Sequence, residues 1–442
     1  MSDQPAAAEP RRLTTREAAD RLGVKPETLY AYVSRGQLGS RRAPGGRGST
    51  FDAAEVEALA ARGTRREPQP SGADLAFRTG VTLIDPDADR YYFRGVDATE
   101  LAGRYGYEEV AEWLWTGTLR PGTRFTAPPE ALAAGQRAVA ALPAHSTAMD
   151  RLRAAAVAAS AADPLRFDLS PDAVLGTARA LIPTLVGSLP PVAGAPGDAA
   201  AEAGAAGDAE NDRDGADSDR TGLARGLWRR LTARTPDDSS LAVLEAALVL
   251  LIDHDLAAST LAARVAASAR AHPYAVVSAG LGALEGPLHG AASGLAHRML
   301  AEVLERGGAA PVVADHLRAG RRVPGLGHRL YRGEDPRAAA LFALLDRVPA
   351  AGPALAAARD VVTTTARHTE LHANVDLALA VLSVASGMRA EAGEAVFAVA
   401  RTAGWIAHAL EEYAERPLRL RPSGHYNGPR PPRALPLPVP LA

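Results

Sequence analysis

Cysteine is absent from this 442-residue chain, and lysine occurs once, as Lys25. Without cysteine there is no disulfide, no thiolate metal site and no cysteine nucleophile. With its one lysine near the N-terminus, the body of the chain offers no Schiff-base lysine. Any phosphate or carboxylate must be held by arginine or by backbone amides. Aromatic residues make up only 5% of the chain and β-branched runs are few, whereas alanine is abundant, so helices are expected. The formal net charge of −2 gives no global attraction to nucleic acid. No uninterrupted apolar run approaches the roughly 20 residues of a membrane span, and Met1 to Arg12 has no apolar core of a secretory signal. These absences predict a soluble, cytoplasmic protein with no membrane partner, long enough for two or three domains.

The N-terminal segment carries its own pattern. Thr14 and Glu17 form a capping-box signature, Ala18, Ala19 and Leu22 give an apolar face, and Gly23 ends it. Pro26 opens a second helix with Leu29, Tyr30 and Val33, stopped by Gly36, and Asp52 caps a third through Val56 and Leu59. Arg41, Arg42 and Arg47 flank Gly45-Gly46 in a hairpin-like segment. From Arg35 to Arg47 there are four arginines and no acid, which suits a phosphate-contacting wing. Residues 14–63 are therefore a candidate DNA-binding module, with protein contact as the other use of such a fold.

Beyond the polar linker Arg65–Gly72, two short strands are expected around Asp85-Pro86-Asp87, within 80–85 and 91–95. Helical spacing follows at 107–115, 129–142, 147–162 and 171–189, and resumes from Leu223 and at Leu241–His254. Between Pro190 and Arg220 the chain holds eight acids, two arginines and almost no large apolar residue. Such a segment buries too little surface to offset its ordering entropy, and is expected to be disordered.

Chemistry concentrates in five stretches. Gly286-Pro-Leu-His289 breaks the chain before a helix bearing Leu295, Met299 and Leu300 on its apolar face. A histidine at a helix N-terminus is held neutral by the dipole and can donate to a developing oxyanion; it can also be a simple cap. His254 closes an apolar helix (Leu244, Leu248, Leu251), as a core residue or part of a buried site. Val323-Pro-Gly-Leu-Gly-His328 brings backbone amides toward a ligand, and Asp335 and Pro336 then start a helix with Arg337 in its first turn, where its fork can meet a carboxylate. Asp376, in Asn374-Val-Asp376, stands just before the helix 377–384, where the dipole favours its charged form, as a base needs; the other reading is that Asn374 or Asp376 is a plain N-cap. Arg401 lies on an apolar helix face between Phe397 and Trp405, with no acid one turn away. A buried guanidinium needs a partner, from another segment or from an anionic ligand.

Taken together, these stretches closely resemble citrate synthase. The matching residues are His254 in Asp-His-acid, His289 in Gly-Pro-Leu-His-Gly, His328 in Gly-x-Gly-His-Arg and Arg337 in Asp-Pro-Arg. To these are added Asp376 in Asn-Val-Asp, Arg401 in Ala-Arg-Thr-x-Gly-Trp-Ile-Ala-His, and Arg421 in Arg-Pro. The front module resembles the MerR-like helix-turn-helix of a bacterial subgroup. The resemblance implies an all-α, two-domain fold. Its parts would be a winged helix-turn-helix module (1–66), a large domain in three parts (72–189, 223–288 and 391–428), a disordered acidic insertion (190–222), a small domain (289–390) and a proline-rich tail (429–442).

It further implies a homodimer that condenses acetyl-CoA with oxaloacetate and hydrolyses citryl-CoA. Asp376 would take the methyl proton, His289 would hydrogen-bond the thioester oxygen and His328 would polarise the ketone. His254, Arg337, Arg401 and, from the partner subunit, Arg421 would hold oxaloacetate. The backbone of Gly325, Leu326 and Gly327 would receive the CoA adenine. No cofactor is bound permanently, and no carboxylate–histidine set clusters for a metal. The family's usual residues give way to Ala291-Ala292-Ser293 after His289, to Asp255-Leu256-Ala257 after His254, and to Ser423 after Pro422. These changes bear on acyl selectivity, and propionyl-CoA, giving 2-methylcitrate, is the nearest alternative substrate. A DNA-binding regulator that senses a metabolite is the alternative of another class.

Overall fold

The computed structural model describes residues 12–22, 24, 26–34, 38–42, 49–57, 77–192, 222–286 and 289–420. It divides into two compact units, Met1–Arg78 and Thr79–Ala442. Arg421, the linker, residues 193–221 of the expected acidic insertion, and the proline-rich tail lie outside the described residues.

The N-terminal unit holds β1 (Arg12–Thr14), α1 (Thr15–Leu22), α2 (Pro26–Ser34), β2 (Ser40–Arg42), β3 (Ser49–Asp52) and a helical turn at 53–57. The capping box forms: Thr14 N–H donates to Glu17 Oε2 at 2.8 Å, and Glu17 N–H to Thr14 Oγ1 at 3.3 Å. Asp52 Oδ1 accepts from Ala54 N–H at 2.8 Å, capping the last turn. The strands form an antiparallel sheet in the order β1-β3-β2, with Leu13 opposite Phe51. Leu13, Ala18, Leu29, Leu38, Phe51 and Val56 make the core. Gly45, Gly46 and Arg47 of the expected wing tip lie outside the described residues.

The second unit opens with an antiparallel hairpin, β4 (Thr82–Asp85) and β5 (Arg90–Phe93), extended by β6 (Val96–Asp97). Asp85 Oδ1 accepts the N–H groups of Asp87 and Ala88, fixing the turn. The named elements that follow among the described residues are helices: α3 (Ala98–Arg104), α4 (Tyr107–Thr116), α5 (Pro129–Ala140), α6 (Ala148–Ala162), α7 (Pro171–Ser188), α8 (Gly222–Leu231) and α9 (Asp238–Leu250). Then come α10 (Ala258–Ser268), α11 (Pro273–Leu284), α12 (Ala292–Arg306), α13 (Ala309–Arg318), α14 (Pro336–Leu345), α15 (Gly352–Ala366), α16 (Val375–Ala385) and α17 (Ala392–Ala414). The last is the central column. It packs against α4, α6, α7 and α9 to α12, and nearly every residue from Ala392 to Ala409 is buried. A helix apolar all round can only sit inside a core. Among the described residues no single helix is long and apolar enough to cross a membrane.

Two sequence expectations fail locally. The apolar run at Leu244–Ile252 does not carry the helix to His254: α9 ends at Leu250, and His254 sits in the turn beyond, next to Asp255 at φ +56°. Close packing keeps that turn in place, because Gly404 lies where an added Cβ would be only 2.2 Å from the Ile252 carbonyl. Leu295 does not join the apolar face of α12 but is 45% exposed, whereas Met299 and Leu300 are buried.

Candidate active site

One cleft of about 560 Å³ gathers His254, His289, Gly327, His328, Arg337, Asp376 and Arg401. Six separate segments supply them, so the grouping is a product of tertiary folding. Gly325 and Leu326 lie just behind it, where the glycine loop bridges the strand-like segment before α16. Asn374 N–H donates to the Gly325 carbonyl at 3.0 Å, Gly327 N–H to the His372 carbonyl at 2.7 Å, and Asn374 Nδ2 to the Gly327 carbonyl at 2.9 Å. Gly325 (φ +78°) and Gly327 (φ +80°) make this close approach possible. The bridge uses the peptide groups of Gly325 and Gly327 and none of Leu326.

The arginines differ in what they have left to bind. Asp335 caps α14 through Arg337 N–H (3.0 Å) and grips the same guanidinium, accepting from Nε at 2.9 Å and Nη2 at 2.8 Å. The Arg337 fork expected to meet a ligand is thus mostly occupied, leaving Nη1. The carboxylate also accepts Val375 N–H at 3.0 Å, tying α14 to the start of α16. Arg401 is fully buried and less satisfied. Its Nε donates to the Leu251 carbonyl at 2.8 Å and its guanidinium lies 4.5 Å over the Phe397 ring, but Nη1 and Nη2 have no hydrogen-bond partner among the described residues. Burial lowers its pKa to about 10, against the pull of Asp253.

The histidines are neutral donors. Burial, then the charge of Arg401, lowers the His289 pKa to about 4; burial and Arg337 do the same for His328. His254 is pushed well below its ordinary value by burial and by the cations around it. Hydrogen bonds decide the tautomers. Ser259 Oγ accepts Trp405 Nε1–H at 3.3 Å and lies 2.8 Å from His289 Nε2. With Ser259 as the donor of that second bond, the proton of His289 sits on Nδ1. Leu330 N–H donates to His328 Nδ1 at 3.0 Å, leaving the proton of His328 on Nε2. His289 lies in a turn three residues ahead of α12, not in its first turn, and burial has displaced the helix dipole as the main cause of its neutrality.

Asp376 departs further from expectation. Asn374 Oδ1 caps α16 by accepting Asp376 N–H at 3.0 Å, so the aspartate side chain is free of capping duty. The dipole was expected to favour the carboxylate, yet burial wins over it and over Arg337, raising the pKa to about 6. Among the described residues no group of histidine and acidic side chains is arranged to hold a metal ion.

Residues without motif spacing complete the cleft. Besides Ser259, Tyr331 places its hydroxyl 2.7 Å from His254 Nε2, and the His254 and His328 rings meet edge to face at 5.2 Å. Behind them Asp253 accepts from Thr82 Oγ1 at 2.5 Å and lies 3.2 Å from His408 Nε2. No local signal marks these partners: 30 residues separate Ser259 from His289 and 77 separate His254 from Tyr331, and Asp253 and His408 are further apart still.

Comparisons with known proteins identify a family and a fold. The family model for citrate synthase, C-terminal domain, matches residues 73–423, and one for a helix-turn-helix domain matches 12–64. The chain is 34% identical over 214 residues to citrate synthase 2 of Bacillus subtilis, covering 47% of this chain and 56% of that one. It thus spans about half the length of the first curated relatives it matches. It is 26% identical over 368 residues to a 2-methylcitrate synthase of Mycobacterium tuberculosis, covering 79% and 88%. The fold matches citrate synthase from Thermoplasma acidophilum, solved as a ternary complex with carboxymethyl coenzyme A and oxaloacetate. That match has a TM-score of 0.61 at 22% identity, and covers 83% of this chain and 97% of that one.

Proposed function

The chain belongs to the citrate synthase family, and from that premise we propose that it condenses acetyl-CoA with oxaloacetate and hydrolyses citryl-CoA to citrate and CoA. One observation carries the reading: a carboxylate with a pKa near 6 shares a cleft with two neutral histidines, His289 against the Ser259 hydroxyl and His328 with its proton on Nε2. A thioester α-proton is far too weakly acidic for a bare carboxylate unless the enolate is stabilised as it forms. Asp376 takes the methyl proton while His289 Nδ1–H donates to the thioester oxygen. The enol carbon then attacks the oxaloacetate ketone, whose oxygen receives the Nε2–H of His328. Water cleaves the resulting citryl thioester, releasing CoA.

Substrate holding follows from the unused donors. Arg401 Nη1 and Nη2 and the free Nη1 of Arg337 take oxaloacetate carboxylates, with His254 hydrogen-bonding the same molecule. Arg421 acts in the site of a homodimer partner, and Leu326, held between the bridged Gly325 and Gly327, offers its peptide groups to the CoA adenine. Residues 289–390 form a small domain that closes over oxaloacetate on the large domain and excludes water. The enzyme works in the cytoplasm with no permanent cofactor. The cleft wall carries Ala257, Ala258 and Ala292, small side chains that leave space for a propionyl methylene. Such a group changes binding by only ~1–3 kcal/mol, so propionyl-CoA is a second substrate, giving 2-methylcitrate. Thiol release from each acyl-CoA with oxaloacetate tests this: acetyl-CoA is expected to turn over faster than propionyl-CoA. Release from neither defeats the enzyme reading.

A second reading concerns the N-terminal unit, which we propose binds DNA through residues 14–63, adding a regulatory output to the enzyme. The observation behind it is that Arg41 and Arg42 are both exposed on β2, an edge strand of the sheet. In a gel-shift titration, Arg41→Ala/Arg42→Ala is expected to weaken binding uniformly across sequences. It should also reduce the salt slope by about 0.9 for each phosphate no longer neutralised. An unchanged slope rules out β2 as the DNA-facing strand.

A further inference from the structure

A second cleft, of about 330 Å³ and sharing no residue with the first, forms where α6, the segment Leu189–Val192, α8 and the loop between α16 and α17 meet. Three guanidiniums line it, Arg151 of α6, Arg230 of α8 and Arg389 of the loop, facing one carboxylate, Glu391. Their hydrogen bonds go to backbone carbonyls: Arg151 Nη2 to Ala144 at 3.3 Å, and Arg230 Nη1 to Gly226 at 2.8 Å and Nη2 to Gly187 at 3.3 Å. Arg230 Nε is buried with no hydrogen-bond partner among the described residues. Three arginines against one acid leave the described lining with net positive charge, and a bound polyanion relieves the repulsion among them.

We infer that this cleft is a binding site for a small polyanion of the phosphate class, with pyrophosphate as its minimal form. A carboxylate presents its acceptors in one plane and suits a single guanidinium fork. Cations arriving from three separate elements suit a polyphosphate, whose oxygens point in several directions and carry two or more charges. Position gives the site a consequence. Arg389 and Glu391 belong to the loop that joins α16, which starts beside Asp376, to α17, which carries Arg401. An anion held between Arg389 and the α6–α8 wall anchors that loop, and through it the relation between the two helices.

Isothermal titration of the full-length protein with inorganic pyrophosphate tests the site without any turnover. Saturable binding to one site per chain is expected, weakened about tenfold in Arg389→Gln and in Arg230→Gln. Arg389 is exposed and its side chain makes no hydrogen bond among the described residues, its carbonyl accepting Ala392 N–H at 3.0 Å, so its variant keeps the fold even if Arg230→Gln does not. Asp376→Asn is expected to bind pyrophosphate as the wild type does, whatever its activity. Absence of saturable binding overturns the inference. So does binding that survives Arg389→Gln but is lost in Arg401→Met, which assigns the pyrophosphate to the first cleft.

Discussion

Replacing Asp376 by asparagine is expected to cut thiol release by at least about 10²–10⁴-fold while making the folded protein more stable at pH 7. Loss of the base removes the proton acceptor, and asparagine cannot substitute for it. The stability gain comes from the same burial that tunes the base. A carboxyl raised from 3.8 to about 6 in the folded chain destabilises the native state wherever it is ionised there, on the order of 1–3 kcal/mol at neutral pH. The sign follows from proton counting. Between those two pKa values the folded state binds the extra proton, so the penalty is full above about 6 and fades as pH falls toward 4. Thermal unfolding of wild type and Asp376→Asn at pH 7.5 and pH 4.5 is therefore expected to show a gap of a few degrees that narrows in acid. The Asn374 cap is untouched by the substitution, since it bonds the backbone N–H of residue 376. Wild-type kcat/KM should fall as pH drops through about 6, when the base acquires its proton. A variant that is less stable at pH 7 than wild type contradicts the buried-carboxylate account.

Features set by neighbours in the chain were legible in the sequence, and features set by packing were not. Asp335-Pro336-Arg337 announces a helix start because capping is a contact between residues two apart, and the structure forms it. The Thr14–Glu17 box is legible for the same reason. That Arg337 spends most of its fork on Asp335 was not, because the sequence names possible partners but not which one wins. His254 was misplaced on a helix because Leu251 and Ile252 continue the apolar run. The helix stops where Arg401 claims the Leu251 carbonyl and Gly404 admits the turn, contacts about 150 residues distant. Three-residue β1 is too short for any alternation to mark it and exists through pairing with β3. Asp376 and His289 carry the plainest lesson. Each was read against a helix dipole, an effect worth about 0.3–1 kcal/mol, but desolvation is larger. It reversed the expected direction for the aspartate and took over the cause for the histidine.

Arg401→Met is expected to raise the KM for oxaloacetate by about 10²-fold, while the melting temperature of the ligand-free protein rises. In most buried sites, deleting an arginine strands its partner carboxylate and destabilises by ~3–5 kcal/mol. Here, among the described residues, no carboxylate is bonded to the guanidinium: Nε meets a carbonyl, Nη1 and Nη2 have no partner, and Asp253 acts on it only through its charge. Each buried, unmade hydrogen bond costs ~1–3 kcal/mol. Methionine removes both, fills similar volume beside Phe397, and leaves only the Leu251 carbonyl without its donor. The balance favours the variant when the cleft is empty and the wild type once oxaloacetate supplies the missing acceptors. Oxaloacetate should accordingly raise the melting temperature of the wild type and leave that of Arg401→Met unmoved. Arg401→Lys keeps the charge but loses the two-pronged donor, so it should recover little of the affinity. A melting temperature that falls by several degrees in Arg401→Met would mean that the guanidinium serves the fold, with its two free nitrogens satisfied by something other than substrate.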